Sequence, residues 1–394
     1  MQPRAFRAAL AAAGLWCLPS LIGAQPSLAQ PVNPALLYWQ GIGLLTEMTR
    51  NEVALLQGHR NGNHWDPENV RALLSHQKAA LNRFTKAGVS TAPCDWGLTM
   101  EEGPFMPLPH LGKMQTLCNL GLMKAAFEFN ESRTGHALDA VDAVRRAARH
   151  LGDGDMMITA ISQYSMESDA LSLLAKHLLT LDEATRRELL TRETKLPALR
   201  TMAQAVSGER GFAAWAEQQA TEVATLMMLQ NSAQAAGAAT EGAPPTPASP
   251  PAGVDEHLFS SLTPELLNSW LAEMRSRYAE AESALTLPWP QSQSAIKELQ
   301  ERLKAGNPLV RTIFPSLQAA RDTQARTETQ LLMVKLALLH GPGLTPEIAA
   351  KATDAFAGQP IQFKSNPDGG YTLSSLQAVR GKPVALNFTA PKQN

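Results

Sequence analysis

Helix starts are written into this chain as dipeptides: a side chain able to cap a helix, followed directly by proline. Asn33-Pro34, Asp66-Pro67, Thr263-Pro264 and Asn307-Pro308 each set an oxygen where it can accept free N–H groups of a first turn. Proline then fills the first helical position, where its missing N–H costs nothing and its fixed φ suits the helix. Apolar residues follow at helical spacing. Leu37, Leu44, Leu45, Met48, Leu55 and Leu56 form one stripe ending near Gly58, and Val70, Leu73, Leu74, Leu81 and Phe84 a second before Gly88. Leu111, Met114, Cys118, Leu122, Ala125 and Phe129 mark a third. Leu138 to Leu151 follow a Thr134 cap, and a stripe from Met157 to Leu178 leads to shorter helices ending near Asn231. No strand-like alternation interrupts this half, which reads as stacked antiparallel helices.

Residues 232–254 break the pattern: eight are Ala, five Pro and three Gly, with Glu241 the sole charge. Such a stretch buries too little apolar surface to offset its ordering entropy, so it predicts a linker without fixed structure. The division expected is an N-terminal helical domain over 30–231 and C-terminal helices over 255–394. In the latter, Leu267, Trp270, Leu271, Met274, Tyr278 and Leu285 form one stripe, ended by Leu287-Pro288-Trp289-Pro290. A helix over roughly Gln293 to Lys304 comes next, then one opened by Asn307-Pro308, which Pro315 restarts and which runs to His340-Gly341. The end changes character. Ile361–Lys364 and Tyr371–Ser375 are β-prone runs around Asn-Pro-Asp-Gly-Gly, with Val384–Phe388 as a third strand. The fold class is therefore mainly α with a small C-terminal hairpin or three-stranded sheet.

The first thirty residues have the three parts of a secretory signal peptide. Arg4 and Arg7 supply positive charge, Ala8 to Ile22 is apolar, and small residues precede cuts after Ala24 or Ala29. Ser27 and Ala29 favour the second, which gives a mature chain beginning at Gln30 and places it in the periplasm or cell envelope. No later segment has the length and apolarity of a membrane span. Without Arg4 and Arg7 the formal charge is 33 − 36 = −3, which excludes an electrostatic nucleic-acid binder. Export leaves Cys94 and Cys118 where a disulfide is permitted, although Cys118 also fits an apolar helix face as a buried thiol.

Several segments together resemble a group of exported bacterial helical proteins. They are Cys94-Asp95-Trp96-Gly97-Leu98 with Glu101-Glu102-Gly103 and Leu108-Pro109-His110-Leu111, and then Ala148-Arg149-His150-Leu151-Gly152. Leu287-Pro288-Trp289-Pro290, Asn307-Pro308-Leu309 and Leu339-His340-Gly341 belong to the same likeness. Its closing segment, Asp354 to Phe363 with Gly370-Tyr371-Thr372-Leu373, has alanine at 355 where the group suggests proline, and is also similar to the end of pseudopilin-type domains. The resemblance implies a fold and an export route, and no activity.

The loop from Cys94 to His110 is the strongest candidate site. Asp95, Glu102 and His110 could act as acid and base, and Trp96 offers a flat face for a ligand ring. Glu101 and Glu102 are adjacent and point apart on ordinary backbone. His59-Arg60-Asn61-Gly62-Asn63-His64-Trp65-Asp66 is densely polar, yet lacks ligand spacing for a metal and reads as a turn with Asp66 as helix cap. Ser75-His76-Gln77-Lys78 matches S-x-x-K inside a helical pattern, without the S-D-N and K-T-G elements that chemistry needs. The helices of 108–180 are faintly like tetratricopeptide hairpins, with no repeat near 34 residues. The reading is a non-enzymatic scaffold or binding protein of the envelope, with an envelope protein or component as partner and no cofactor, metal or catalytic residue. The competing reading is a hydrolase using the Cys94–His110 loop. Closed packing of Trp96 favours the first, and an open pocket with Asp95, Glu102 and His110 converging favours the second.

Overall fold

Every dipeptide cap is in place. Asn33 Oδ1 accepts the Ala35 N–H at 3.1 Å, Asp66 Oδ1 those of Glu68 and Asn69 at 3.1 Å, Thr263 Oγ1 that of Leu266 at 3.2 Å, and Asn307 Oδ1 that of Val310 at 3.1 Å. The computed structural model describes residues 32–60, 65–99, 103, 106–212, 214–218, 263–314, 316–379 and 381–391. The expected leader and the Ala/Pro segment 232–254 lie outside these. Among the described residues, no helix is long and apolar enough to cross a membrane.

The helices are α1 Pro34–Gly43, α2 Arg50–Arg60, α3 Pro67–His76, α4 Lys78–Gly88, α5 Pro109–Asn130, α6 Thr134–Gly152, α7 Met157–Leu178, α8 Glu183–Glu193 and α9 Met202–Gly208. After residue 262 come α10 Pro264–Thr286, α11 Trp289–Ala305, α12 Pro308–Ile313, α13 Leu317–His340 and α14 Pro346–Ala349. Strands β1 Gln362–Ser365, β2 Tyr371–Val379 and β3 Lys382–Phe388 form an antiparallel sheet in that order, with Tyr371 opposite both Ser365 and Phe388. The fold is mainly α with a small three-stranded sheet.

Two sequence stripes that read as single helices are each broken. The first stops at Gly43 and restarts at Arg50, where Thr49 and Glu52 cap each other: the Thr49 N–H reaches Glu52 Oε2 at 2.8 Å and the Glu52 N–H reaches Thr49 Oγ1 at 3.3 Å. The second breaks at Gln77. Its buried amide accepts the Thr46 N–H at 3.1 Å and donates to the Thr46 carbonyl at 3.1 Å and hydroxyl at 2.7 Å. One buried side chain thus satisfies the α1–α2 connection. Thr134 sits inside α6 without capping it, Arg133 preceding the helix. The helix expected from Gln293 begins four residues earlier, at Trp289.

Helix α7 serves three cores at once, with buried apolar residues on more than one side. Met166, Ala170 and Leu173 face the cluster built on α1, α4, α5 and α6. Met157, Ala160 and Tyr164 pack with α9 and α10–α12. Leu171, Leu174, Ala175 and Leu178 meet α8, α13 and the sheet through Leu373, Leu386 and Phe388. Residues on both sides of 219–262 therefore share core. Close approach of α5 and α6 requires Gly121, where a Cβ would lie 2.6 Å from Val144.

Asp354 organises the closing segment. Its Oδ1 accepts N–H bonds from Phe356, Ala357 and Gln359, and its Oδ2 accepts the Ser375 hydroxyl at 2.5 Å. The turn delivers Phe356 into a pocket with Ala325 and Val384, edge-on to Trp289 at 5.3 Å. Ala355 donates its N–H to Thr329 Oγ1 at 3.0 Å, a bond that a proline at 355 could not make.

Candidate functional site

Asn33 does two jobs. While Oδ1 caps α1, it also accepts the Asp95 N–H at 3.1 Å, and Nδ2 donates to the Asp95 carbonyl at 2.6 Å. The loop after α4 is thereby clamped to the start of α1. Asp95 Oδ1 accepts the Gly97 N–H at 2.8 Å, closing a tight turn with Gly97 at φ 68°. That turn aims Trp96 inward.

Trp96 is 6% exposed. Its ring stacks on Tyr38 at 5.6 Å and on His110 at 4.7 Å, and meets Trp39 edge-on at 6.4 Å. The indole N–H donates to the His150 carbonyl at 2.7 Å, near the C-terminus of α6. The His150 ring nitrogen Nδ1 lies 2.9 Å from the Tyr38 hydroxyl. Burial, with Arg146 nearby, pushes the His150 imidazole down to about 4, so it is neutral at pH 7. Burial also raises the Tyr38 phenol and the Cys94 thiol well above their ordinary values. Cys94 and Cys118 are separate buried thiols. At the far end of the loop Gly103, at φ 82°, is pressed against Trp215, whose indole a Cβ there would overlap.

The structure separates the candidate acid and base. Asp95 is exposed, with one oxygen committed to its own turn. His110 is fully buried between Trp96 and Trp39, and among the described residues neither ring nitrogen has a hydrogen-bond partner. Burial lowers its pKa, and it behaves as an aromatic plate. Glu102 lies outside the described residues. Trp96 presents no free face. Asp66 caps α3 as expected, while His64 is outside the described residues; among those described, no group of three His, Cys, Asp or Glu side chains could hold a metal.

The most concentrated charge escaped sequence reading. Arg145 and Arg149, one turn apart on α6, converge on Glu167 of α7 and Glu193 of α8. Glu167 is fully buried, and its Oε1 accepts three guanidinium N–H groups at 2.6–2.9 Å. Arg145 reaches Glu193 at 2.6 Å, and Arg149 donates to the Pro197 carbonyl at 2.6 Å. Burial alone would lower the Arg145 pKa, but the two carboxylates outweigh it. Two arginines four apart on an otherwise apolar face were the available signal. The quartet is electrically balanced and ties three helices together. No protein-family model, curated protein or solved structure matches this chain.

Proposed function

We propose that this chain is a non-enzymatic helical scaffold, exported to the cell envelope, where it holds a protein or envelope component. The observation that carries the reading is the closed packing of Trp96. The residue best suited to greet a ligand is stacked, hydrogen-bonded and covered. Polar groups elsewhere in the interior serve architecture: Gln77 staples a connection, Asp354 folds a turn, and the Arg145–Glu167 quartet joins helices. The charged, apolar and small-residue parts of the first thirty positions support export.

The experiment is complementation of a deletion strain with Trp96→Phe and Asp95→Asn, scored beside the melting temperatures and the envelope fraction of each variant. A scaffold loses function only in step with stability. Lost function at an unchanged melting temperature would contradict the reading and return the loop to the hydrolase class.

A further inference from the structure

Helices α11 and α12, with the start of α13, leave an open cleft of about 460 Å³ between them. That volume falls in the range of small-molecule sites, roughly 300–1,000 Å³. One wall is a single face of α11, on which Gln300, Leu303 and Lys304 follow helical spacing. Val310 and Arg311 of α12, then Phe314 and the α13 cap Ser316, complete the lining. The floor is apolar, since Leu303 and Val310 are buried. Phe314 is half-buried: its ring packs on Tyr278 at 4.5 Å, and part of its surface borders the cleft.

The polar groups of the lining are donors. Arg311 is exposed and makes no side-chain hydrogen bond or ion pair among the described residues, so its whole guanidinium fork is open. Gln300 is half-buried and likewise makes no side-chain hydrogen bond among the described residues. Ser316 Oγ accepts the Ala319 N–H at 3.4 Å, and its own proton has no partner among the described residues. Lys304 pairs with Glu301 of the same helix at 2.8 Å, with both side chains well exposed. Such a pair holds a lysine weakly and leaves further ammonium N–H groups to offer. Among the described residues, no carboxylate borders the cleft.

The geometry points to this cleft as a binding site for a small aromatic monocarboxylate. Its carboxylate would meet the Arg311 guanidinium, whose parallel N–H donors match two carboxylate oxygens, while Lys304 adds charge from α11. Its ring would cover Leu303 and Val310 beside Phe314, where aromatic rings gain from offset or edge-on contact. A cation would meet two like charges. A plain inorganic anion would leave the apolar floor wet, and a neutral aromatic would leave the guanidinium unmatched. The site is independent of the scaffold reading, since the cleft borders α11–α13 while Trp96 belongs to the core of α1, α4, α5 and α6.

The test is calorimetric titration of the full exported chain with 3-phenylpropionate, 3-phenylpropanamide and inorganic phosphate. The amide keeps the ring without the charge, and phosphate keeps charge without the ring. Saturable one-to-one binding of 3-phenylpropionate is expected, at least tenfold tighter than either control. Arg311→Gln changes an exposed side chain with no partner among the described residues, so it should melt with wild type. It should nonetheless weaken 3-phenylpropionate at least tenfold, and Arg311→Lys, which keeps the charge and loses the fork, should fall between. No saturable binding of 3-phenylpropionate overturns the proposal. So does either control binding as tightly as 3-phenylpropionate, or Arg311→Gln binding like wild type.

Discussion

Replacing Trp96 by alanine removes the plug at the centre of the N-terminal core. A buried tryptophan withdraws about 200 Å² from water, worth ~5 kcal/mol at ~25 cal/mol per Å². Alanine recovers part of that, and incomplete collapse of the cavity offsets part of the recovery, so a loss of about 3–5 kcal/mol is expected. The His150 carbonyl also loses the indole N–H at 2.7 Å, and His110 loses the ring it stacks on at 4.7 Å. Trp96→Phe separates these effects. It retains most of the stack and forfeits the hydrogen bond, for a cost of about 1–3 kcal/mol from the unsatisfied buried carbonyl. At about 2 °C per kcal/mol for a chain of this size, the alanine variant should melt roughly 6–10 °C below wild type, with phenylalanine between. Thermal unfolding followed by circular dichroism reads both. Two variants that melt with wild type would refute the plug and make this loop the place to seek a ligand.

Three further outcomes follow from buried charge. His150, neutral in the fold and held at about 4, must charge on unfolding below its ordinary value near 6.5. Its stabilisation is therefore present above pH 6.5 and lost as pH falls to 4, by about 3 kcal/mol. Denaturant midpoints should drop across that window, and His150→Gln should flatten the drop; equal slopes would contradict this. Glu209 is buried, accepts the Met157 N–H at 2.7 Å, and is pushed up to about 7 by burial. Its folded state is favoured below pH 4.5 and loses that advantage as pH rises through 7, so Glu209→Gln should melt above wild type at pH 8.5 and with it at pH 5. Glu167→Gln leaves Glu193 as the one carboxylate facing the two buried guanidiniums of Arg145 and Arg149, and chemical denaturation should report a loss of about 3–5 kcal/mol. A loss under 1 kcal/mol would show that the quartet is not coupled.

Local chemistry was legible and tertiary chemistry was not. The Asn-Pro, Asp-Pro and Thr-Pro starts act within four residues, so their helices stand where the dipeptides predict. The hairpin at Asn366–Gly370 was visible for the same reason, with the Asn366 N–H bonding the Gly370 carbonyl across the turn. The break at Gln77 was invisible because its cause is Thr46, thirty-one residues away. Periodicity runs unbroken through both ends of such a bend. The quartet was hidden likewise: Arg145, Glu167 and Glu193 sit on three helices, and nothing in their spacing predicts a common point. At the candidate site, residue types singled out the Cys94–His110 loop, while burial was unreadable. Asp95 and His110 suggest an acid and a base in a sequence, and in the fold one is a turn-former and the other a buried plate.

The claim that the Cys94–His110 loop is architecture rests on one proton, the Trp96 indole N–H on the His150 carbonyl. Its exchange with deuterated solvent, followed by NMR at pH 7, tests that claim most directly. A plugged ring opens only with its core, so exchange should be slowed at least about a thousandfold relative to free indole, as an opening cost of ~4 kcal/mol requires. Exchange at the rate of an open loop would contradict the account.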